Sequence, residues 1–235
     1  MRRLVRIVGW TMMWSGALTL GLVGYQLFVT DLINGSVQAE ARVDLVSELE
    51  FRRAELEAPI VVEEPPGDAP TVSNRVQTIA YQPEPADDEG SPFAELRIPE
   101  IDLDAVLFEG VTPATLKNGP GHMPWTPVPG QPGNSVISGH RTTYGAPFYD
   151  LDLLEPGDVI EIDTAIGTHV YTVRETVIVL PTDVWVTEPR PGAWITLTTC
   201  NPKLSARERL IVFAELTAGP NLEYVEFLSN QLPGA

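Results

Sequence analysis

The chain begins with a long apolar run that contains no charged residue. This run extends from Ile7 to Val29, and about 20 apolar residues suffice to cross the hydrocarbon core of a bilayer. Three arginines precede it and Asp31 is the first charge after it, so the positive-inside rule predicts a cytoplasmic N-terminus and an external remainder. A cleaved signal peptide is the alternative, because small residues follow at Asn34–Ser36. Its apolar core would be roughly twice the usual 7–15 residues, so we expect residues 1–34 to form a cytoplasmic tip and an uncleaved single-pass anchor.

The pattern of residues 35–92 predicts a spacer. The segment Ala41–Ala58 has partly helical spacing, although Arg52 interrupts its apolar stripe, so we expect either a short juxtamembrane helix or a weak pairing segment. Proline, glycine and acidic residues then dominate up to Pro92. Such a composition cannot bury a core and behaves as an extended spacer. We therefore expect an acidic, Pro-rich extracellular linker that carries a folded domain away from the membrane.

Short alternating runs fill residues 93–220, and Pro-Gly or Gly-Pro pairs separate many of them. Several short strands with this turn punctuation are typical of an all-β barrel or sandwich. Single helical turns are expected at Thr112–Lys117 and Phe148–Leu154, and residues 221–235 form a tail in which Leu222–Leu228 could be a short helix. The alternating runs are Ala94–Ile98, Ala105–Glu109, Asn134–Gly139, Val159–Asp163, His169–Leu180, Ile195–Cys200 and Arg209–Leu216.

The acidic balance of the chain limits its partners. The formal net charge is −17 at pH 7. Such a charge argues against binding to nucleic acid or to anionic lipid head groups. A solvated surface and a self-repelling spacer explain the charge sufficiently, so we assign it no specific partner.

Cys200 is the only cysteine. A single cysteine in an exported protein has no disulfide partner within the chain, so it is either an inert core residue or a nucleophile. The alternation in Ile195–Cys200 predicts a half-buried strand, and Asn201-Pro202 is a turn signal directly after it. A thiol at a strand end, near two arginines, is placed for reaction rather than for packing.

A thiol nucleophile needs a base and a group that stabilises an oxyanion. His140 ends a predicted strand and could be the base, whereas His122 lies in a Gly/Pro loop, where it either shapes the loop or contacts substrate, and His169 lies within a strand in a structural or surface role. Arg207 and Arg209 both follow the cysteine. Arg209 borders an apolar run and should be held more rigidly, although a solvated strand-end charge remains the alternative for either arginine.

The motifs around these residues resemble those of the sortase family. TLTTC at Thr196–Cys200, SGHRTTYG at Ser138–Gly145 and RLIVFAEL from Arg209 match three sortase motifs in the right order, and GPGH at Gly119–His122 resembles class E sortases of actinobacteria. The resemblance implies an eight-stranded β-barrel in which Cys200 is the nucleophile, His140 the acid/base and Arg209 the oxyanion-stabilising residue. Substrate-binding residues implied with them are Thr199, His122, Met123, Tyr144 and Arg207. Met123 departs from the aromatic residue of class E relatives.

The reaction implied by the resemblance is transpeptidation on exported proteins. The cysteine would cleave the Thr–Gly amide of a C-terminal sorting motif of the LAxTG or LPxTG type, and an amine on a peptidoglycan precursor or another acceptor would resolve the thioester. No cofactor and no metal are expected, because no Cys/His cluster occurs. The alternatives are an L,D-transpeptidase-like cell-wall enzyme, in which a histidine lies two residues before the cysteine, and a tethered extracellular binding module without enzymatic activity.

Overall fold

The computed structural model describes residues 2–25, 30–57 and 88–231. Its first element is helix α1, Arg2–Gly24, whose most apolar window has a mean hydropathy of 1.4 and no buried residue. By length and composition this helix could cross a membrane. The predicted span extended to Val29, and its residues 26–29 lie outside the described residues.

Eight strands form a closed barrel in the order β1-β2-β3-β4-β7-β8-β6-β5, which confirms the expected all-β fold. Parallel pairing occurs between β2 and β3 and between β4 and β7, and the other neighbours are antiparallel. Each alternating run in the sequence corresponds to one strand, while β3 was missed because two residues are too few for a pattern. The strands are β1 Pro92–Ile98, β2 Leu103–Glu109, β3 Gly121–His122, β4 Gly133–Ser138, β5 Val159–Thr164, β6 Gly167–Val179, β7 Ala193–Asn201 and β8 Glu208–Ala218.

Alternate residues of the strands fill the barrel, because successive side chains on a strand point to opposite faces. Leu96, Ile137, Ile162, Leu197 and Val212 are among the fully buried residues of one contiguous core. The predicted helical turns are shorter 3-10 helices at Thr115–Lys117 and Leu151–Leu153, and two more occur at Pro99–Ile101 and Val184–Thr187. The predicted C-terminal helix extends further than expected, as α3, Leu222–Gln231.

A second long helix, α2, Thr30–Glu57, packs on the outside of the barrel. Its buried residues Ala41, Leu45 and Leu49 contact Val106 and Phe108 of β2 together with Ala165. Arg52, expected to interrupt the stripe, instead pairs with Glu48 at 2.7 Å. Residues 35–57 of the predicted linker therefore include the helical alternative for Ala41–Ala58, and apolar burial of α2 holds them on the barrel. Residues 58–87 of the predicted linker lie outside the described residues.

Candidate active site

The parallel pairing of β4 with β7 brings His140 to the level of Cys200. Ser138 of β4 pairs with Thr198 of β7. His140 lies two residues after Ser138, and Cys200 lies two residues after Thr198. The pairing continues past the end of β4, because the Gly139 N–H donates to the Thr198 carbonyl oxygen at 3.1 Å. The Thr199 hydroxyl donates to the Gly139 carbonyl oxygen at 2.8 Å. His140 and Cys200 therefore lie on neighbouring segments at the same end of the barrel.

The antiparallel pairing of β7 with β8 places Arg209 directly opposite Cys200. Both side chains are half-buried. The Arg209 Nη1 group donates to the carbonyl oxygens of Ala206, at 3.1 Å, and Glu208, at 2.9 Å. These two carbonyl groups restrict the guanidinium to the end of the barrel where the thiol lies.

Arg207 occupies a different position from Arg209. It precedes β8 and is exposed, and its backbone N–H donates to the Ser205 hydroxyl at 3.3 Å. Because Arg207 lies outside the strand, the period-two argument that would point both arginines to one face does not apply. The structure thus separates a strand-held arginine from a loop arginine.

His140 is half-buried beside Tyr144, whose ring centroid lies 5.1 Å from the centroid of the imidazole. Burial, which removes water from the charged form, lowers the pKa of His140, and the positive charge of Lys117 lowers it further. The Lys117 Nζ atom lies 5.8 Å from the centroid of the Tyr144 ring. This environment favours the neutral imidazole, which is the form able to accept a proton from a thiol.

Arg141 is a buried cation that the sequence analysis missed. It is 3% exposed, and its guanidinium forms an ion pair with Asp152 at 2.7 Å. Its Nε donates to the Tyr149 carbonyl oxygen at 2.9 Å, and its Nη1 donates at 3.3 Å to the Cys200 carbonyl oxygen and to Asn201 Oδ1. Arg141 therefore ties the loop after His140 to the strand end that carries Cys200. Only its place beside the histidine in the SGHR motif could have drawn attention to it.

Two of the expected substrate-binding residues lie away from this end of the barrel. The Met123 N–H donates to the Val136 carbonyl oxygen at 2.9 Å, and Val136 precedes His140 by four residues, or about 13 Å along a strand. His122 is 1% exposed, with Nδ1 2.8 Å from Glu109 Oε2 and Nε2 3.0 Å from the Pro127 carbonyl oxygen. The position of His122 fits the loop-shaping role, because neither ring nitrogen faces solvent.

The other candidates divide between the site and the core. Tyr144 lies at the imidazole, and Thr199 is buried next to the thiol with its hydroxyl engaged by Gly139. His169 is fully buried in β6, and burial lowers its pKa to about 4, which fits a structural role. No group of three or more His, Cys, Asp or Glu residues that could hold a metal ion occurs within residues 2–25, 30–57 and 88–231.

Comparison with known proteins identifies relatives of this arrangement. The model of the Sortase domain family matches residues 96–217. Sortase SrtE1 of Streptomyces coelicolor is 33% identical over 143 residues, a match that covers 54% of this chain and 41% of that protein. The chain therefore matches less than half of the length of this relative.

Solved structures agree with the sequence match. Sortase E from Streptomyces avermitilis superposes with a TM-score of 0.53 at 36% identity, covering 56% of this chain and 91% of that chain. Sortase E1 from Streptomyces coelicolor, solved with a tripeptide in its active site, superposes with a TM-score of 0.53 at 32% identity and covers 55% of this chain and 90% of its own. Both similarities extend over nearly the whole of the solved domains.

Proposed function

Because this chain belongs to the sortase family and resembles its class E members, we propose that it is a membrane-anchored cysteine transpeptidase. Its substrates are exported proteins that carry a C-terminal sorting motif, and its acceptor is an amine on a peptidoglycan precursor or another amine of the cell wall. The tripeptide in the active site of the Streptomyces coelicolor relative supports a peptide substrate. Family membership also argues against the L,D-transpeptidase and the non-enzymatic binding module.

In the proposed first half-reaction the Cys200 sulfur attacks the carbonyl carbon of the Thr–Gly amide. The thiol proton passes to His140, which then gives it to the departing glycine nitrogen, so that a thioester forms and the C-terminal tail leaves with a free amino group. In the second half-reaction the acceptor amine attacks the thioester carbonyl, and its proton returns through His140 to the sulfur. The product is a new amide bond, and the reaction needs neither a metal nor a redox step.

Arg209 stabilises the oxyanion in both half-reactions of this proposal. A guanidinium carries five N–H donors, and within the described part of the chain the recorded bonds of Arg209 use only Nη1. The donors on Nε and Nη2 are therefore available to a substrate oxygen. Thr199 next to Cys200, Tyr144 beside His140 and Arg207 in the loop before β8 are assigned in this proposal to contacts with the peptide.

The observation that carries the proposal is the pairing of β7 with its two neighbouring strands, β4 and β8. One neighbouring strand brings a histidine to the level of Cys200 and the other brings an arginine opposite it. This supplies the nucleophile, base and oxyanion donor that acyl transfer to a thiol requires.

Mass spectrometry of the full-length protein with sorting peptides tests the proposal. We expect the wild-type protein to gain the mass of the peptide's N-terminal fragment on Cys200 and to transfer it to added amine. The Cys200→Ala variant should keep its fold and form no adduct, because it loses only a half-buried thiol. Cleavage by Cys200→Ala at the wild-type rate would contradict the proposed mechanism.

The proposed sorting motif is of the LAxTG type, which is what the class E resemblance implies. Two peptides that differ only in alanine or proline at the second position should differ in kcat/KM, with alanine preferred. Equal or reversed values would contradict this assignment, and the departure at Met123 makes the comparison informative.

The proposed location is the cell membrane, with α1 crossing once and the barrel outside. The absence of charge within Ile7–Val29 and the arginines before it support this orientation. Protease added to intact protoplasts should remove the barrel from the cell surface. Complete protection of the barrel would show that the orientation is reversed.

A further inference from the structure

The loop that follows His140 contains three successive residues in the left-handed region. Tyr144, Gly145 and Ala146 have φ angles of 53°, 75° and 44°. A residue other than glycine in this region costs on the order of 1–3 kcal/mol and persists only where its surroundings hold it. The Tyr144 ring packs beside the His140 imidazole. The turn Tyr144–Ala146 therefore forms part of the environment of the histidine, and it needs support from elsewhere in the molecule.

That support comes from the first turns of α2. The Gly145 N–H donates to Asp31 Oδ1 at 2.9 Å. Asn34 is 8% exposed and packs so closely against Gly145 that a Cβ added there would overlap its side-chain oxygen. The turn has no room for a larger residue at its centre because α2 fills the space.

Asn34 also fixes the segment that carries Lys117. Its Nδ2 group donates to the carbonyl oxygens of Lys117 and Asn118, both at 2.9 Å, and Gln38 Nε2 donates to the Asn118 oxygen at 2.7 Å. The charge of Lys117 acts on His140, and its Nζ lies over the Tyr144 ring. One asparagine thus joins the two segments beside the histidine.

We propose that Asp31 and Asn34 are positioning residues for His140, acting through the turn Tyr144–Ala146 and through the backbone of Lys117. The helix that follows the proposed membrane anchor is then part of the support of the active site and not a passive connection. This inference rests on the proposed role of His140 as the acid/base. It extends that proposal by assigning a catalytic consequence to residues far outside the sortase motifs.

Kinetics of full-length variants in detergent micelles test the inference. Asn34→Asp keeps the shape of the side chain and removes the donor, so kcat on a sorting peptide should fall about 10- to 100-fold, as expected for a small displacement of a catalytic group, with KM nearly unchanged. Asp31→Ala should also lower kcat, whereas Asp31→Asn keeps an acceptor oxygen for Gly145 and should retain activity.

The matched control is Arg42→Gln. Arg42 joins the same helix to the barrel through Asp104 of β2, at 2.7 Å, and Glu95 of β1, at 3.4 Å, and neither partner belongs to the His140 loop. This variant weakens the attachment of α2 without touching the turn. Its kcat should therefore remain at the wild-type value.

NMR titration of the imidazole groups distinguishes positioning from general destabilisation. The chain has three histidines, so few resonances need assignment. In Asn34→Asp a loosened turn admits water and releases Lys117, so the pKa of His140 should rise toward its ordinary value. It should stay at the wild-type value in Arg42→Gln. Because Asn34→Asp adds a carboxylate that raises the pKa of His140 by itself, the uncharged variant Asn34→Ala must show the same rise. The other titratable and charged groups beside the histidine, namely Lys117, Arg141, Tyr144, Cys200 and Arg209, are unchanged in both variants.

A double-mutant cycle tests the contact itself. Gly145→Ala and Asn34→Ala should each lower kcat, and the double variant should lose less, in free energy of activation, than the sum of the two single losses, because the smaller residue makes room for the new methyl group. Strictly additive losses would show that Asn34 does not pack on the turn in solution and would overturn the inference.

Two other results would overturn it. A wild-type kcat in Asn34→Asp is one, and a lowered kcat with an unchanged His140 titration is the other, because the latter indicates a structural effect only. If the wild-type protein cleaves no sorting peptide, the proposed function fails. The titration of His140 in the uncharged variant Asn34→Ala then still decides whether α2 sets its environment.

Discussion

Arg141 is the buried side chain whose removal should cost the barrel most near the site. Its guanidinium donates to the Tyr149 and Cys200 carbonyl oxygens and to Asn201 Oδ1 and pairs with Asp152. In Arg141→Ala the acceptors lose a charged donor, and a hydrogen bond to a charged group contributes about 1.5–3 kcal/mol. The two hydrogen bonds of 3.3 Å, to the Cys200 carbonyl oxygen and to Asn201, are long and therefore weak. Asp152 is 43% exposed, so water can solvate its carboxylate once Arg141 is removed. We therefore expect a loss of about 3 kcal/mol in the free energy of unfolding.

Chemical denaturation of the full-length protein measures this loss. The control is Arg174→Ala, which removes an exposed ion pair with Glu215 at 2.9 Å and should cost less than about 1 kcal/mol. Arg141→Lys keeps the charge but lacks the planar fork, so it should fall between the wild type and Arg141→Ala. If Arg141→Ala costs no more than the control, Arg141 does not hold the Cys200 strand end as the structure indicates.

Three further results should follow from the charges of the structure. Replacing Lys117 with Met should raise the pKa of His140 in an NMR titration, because a positive charge that disfavours imidazolium is removed; a fall would contradict the assignment. The pKa of the buried His169 is about 4 in the folded protein, against about 6.5 in the unfolded chain. The free energy of unfolding should therefore be unaffected by this histidine above about pH 6.5 and fall by about 3 kcal/mol as the pH is lowered to about 4. His169→Gln should reduce this dependence on pH in denaturation experiments. Arg209→Ala should lower kcat about 10²–10³-fold with poor rescue by lysine, whereas Arg207→Ala should mainly raise KM, and the reverse order in steady-state kinetics would identify Arg207 as the oxyanion donor.

The all-β fold could be predicted from the sequence because alternation of apolar and polar residues is a local signal. The choice of a barrel over a sandwich came from the family resemblance. The pairing of Cys200 with Arg209 could be anticipated as well, since their strands are consecutive and antiparallel. The meeting of His140 with Cys200 could not be derived from spacing. Their strands lie far apart in the chain and pair in parallel, so their register depends on the closure of the whole barrel. The place of His140 at a strand end made it a candidate base, and the resemblance to a family supplied the pair.

The features that were missed depend on tertiary contacts. The stripe of α2 predicted a helix but not its partner on the barrel, because amphipathic spacing shows only which face is apolar. Arginine is usually exposed in folded proteins, so the sequence predicts a surface position for Arg141. Its burial is explained by the hydrogen bonds that it donates to the carbonyl oxygens of Tyr149 and Cys200. The left-handed conformations of Tyr144 and Ala146 are likewise unexpected for residues other than glycine.

The three proposed catalytic residues differ in how the fold holds them. Cys200 and Arg209 lie within β7 and β8, where the hydrogen bonds of the sheet fix their backbones. His140 lies two residues beyond β4, where its carbonyl oxygen accepts a hydrogen bond from the Phe148 N–H at 3.1 Å and its imidazole packs beside Tyr144. The turn that carries Tyr144 is in turn contacted by α2. Changes in these contacts should therefore act on the proton transfers through His140, while the backbone positions of Cys200 and Arg209 stay as in the wild type. The histidine is thus the member of the proposed site through which α2, the helix that follows α1, can influence the reaction.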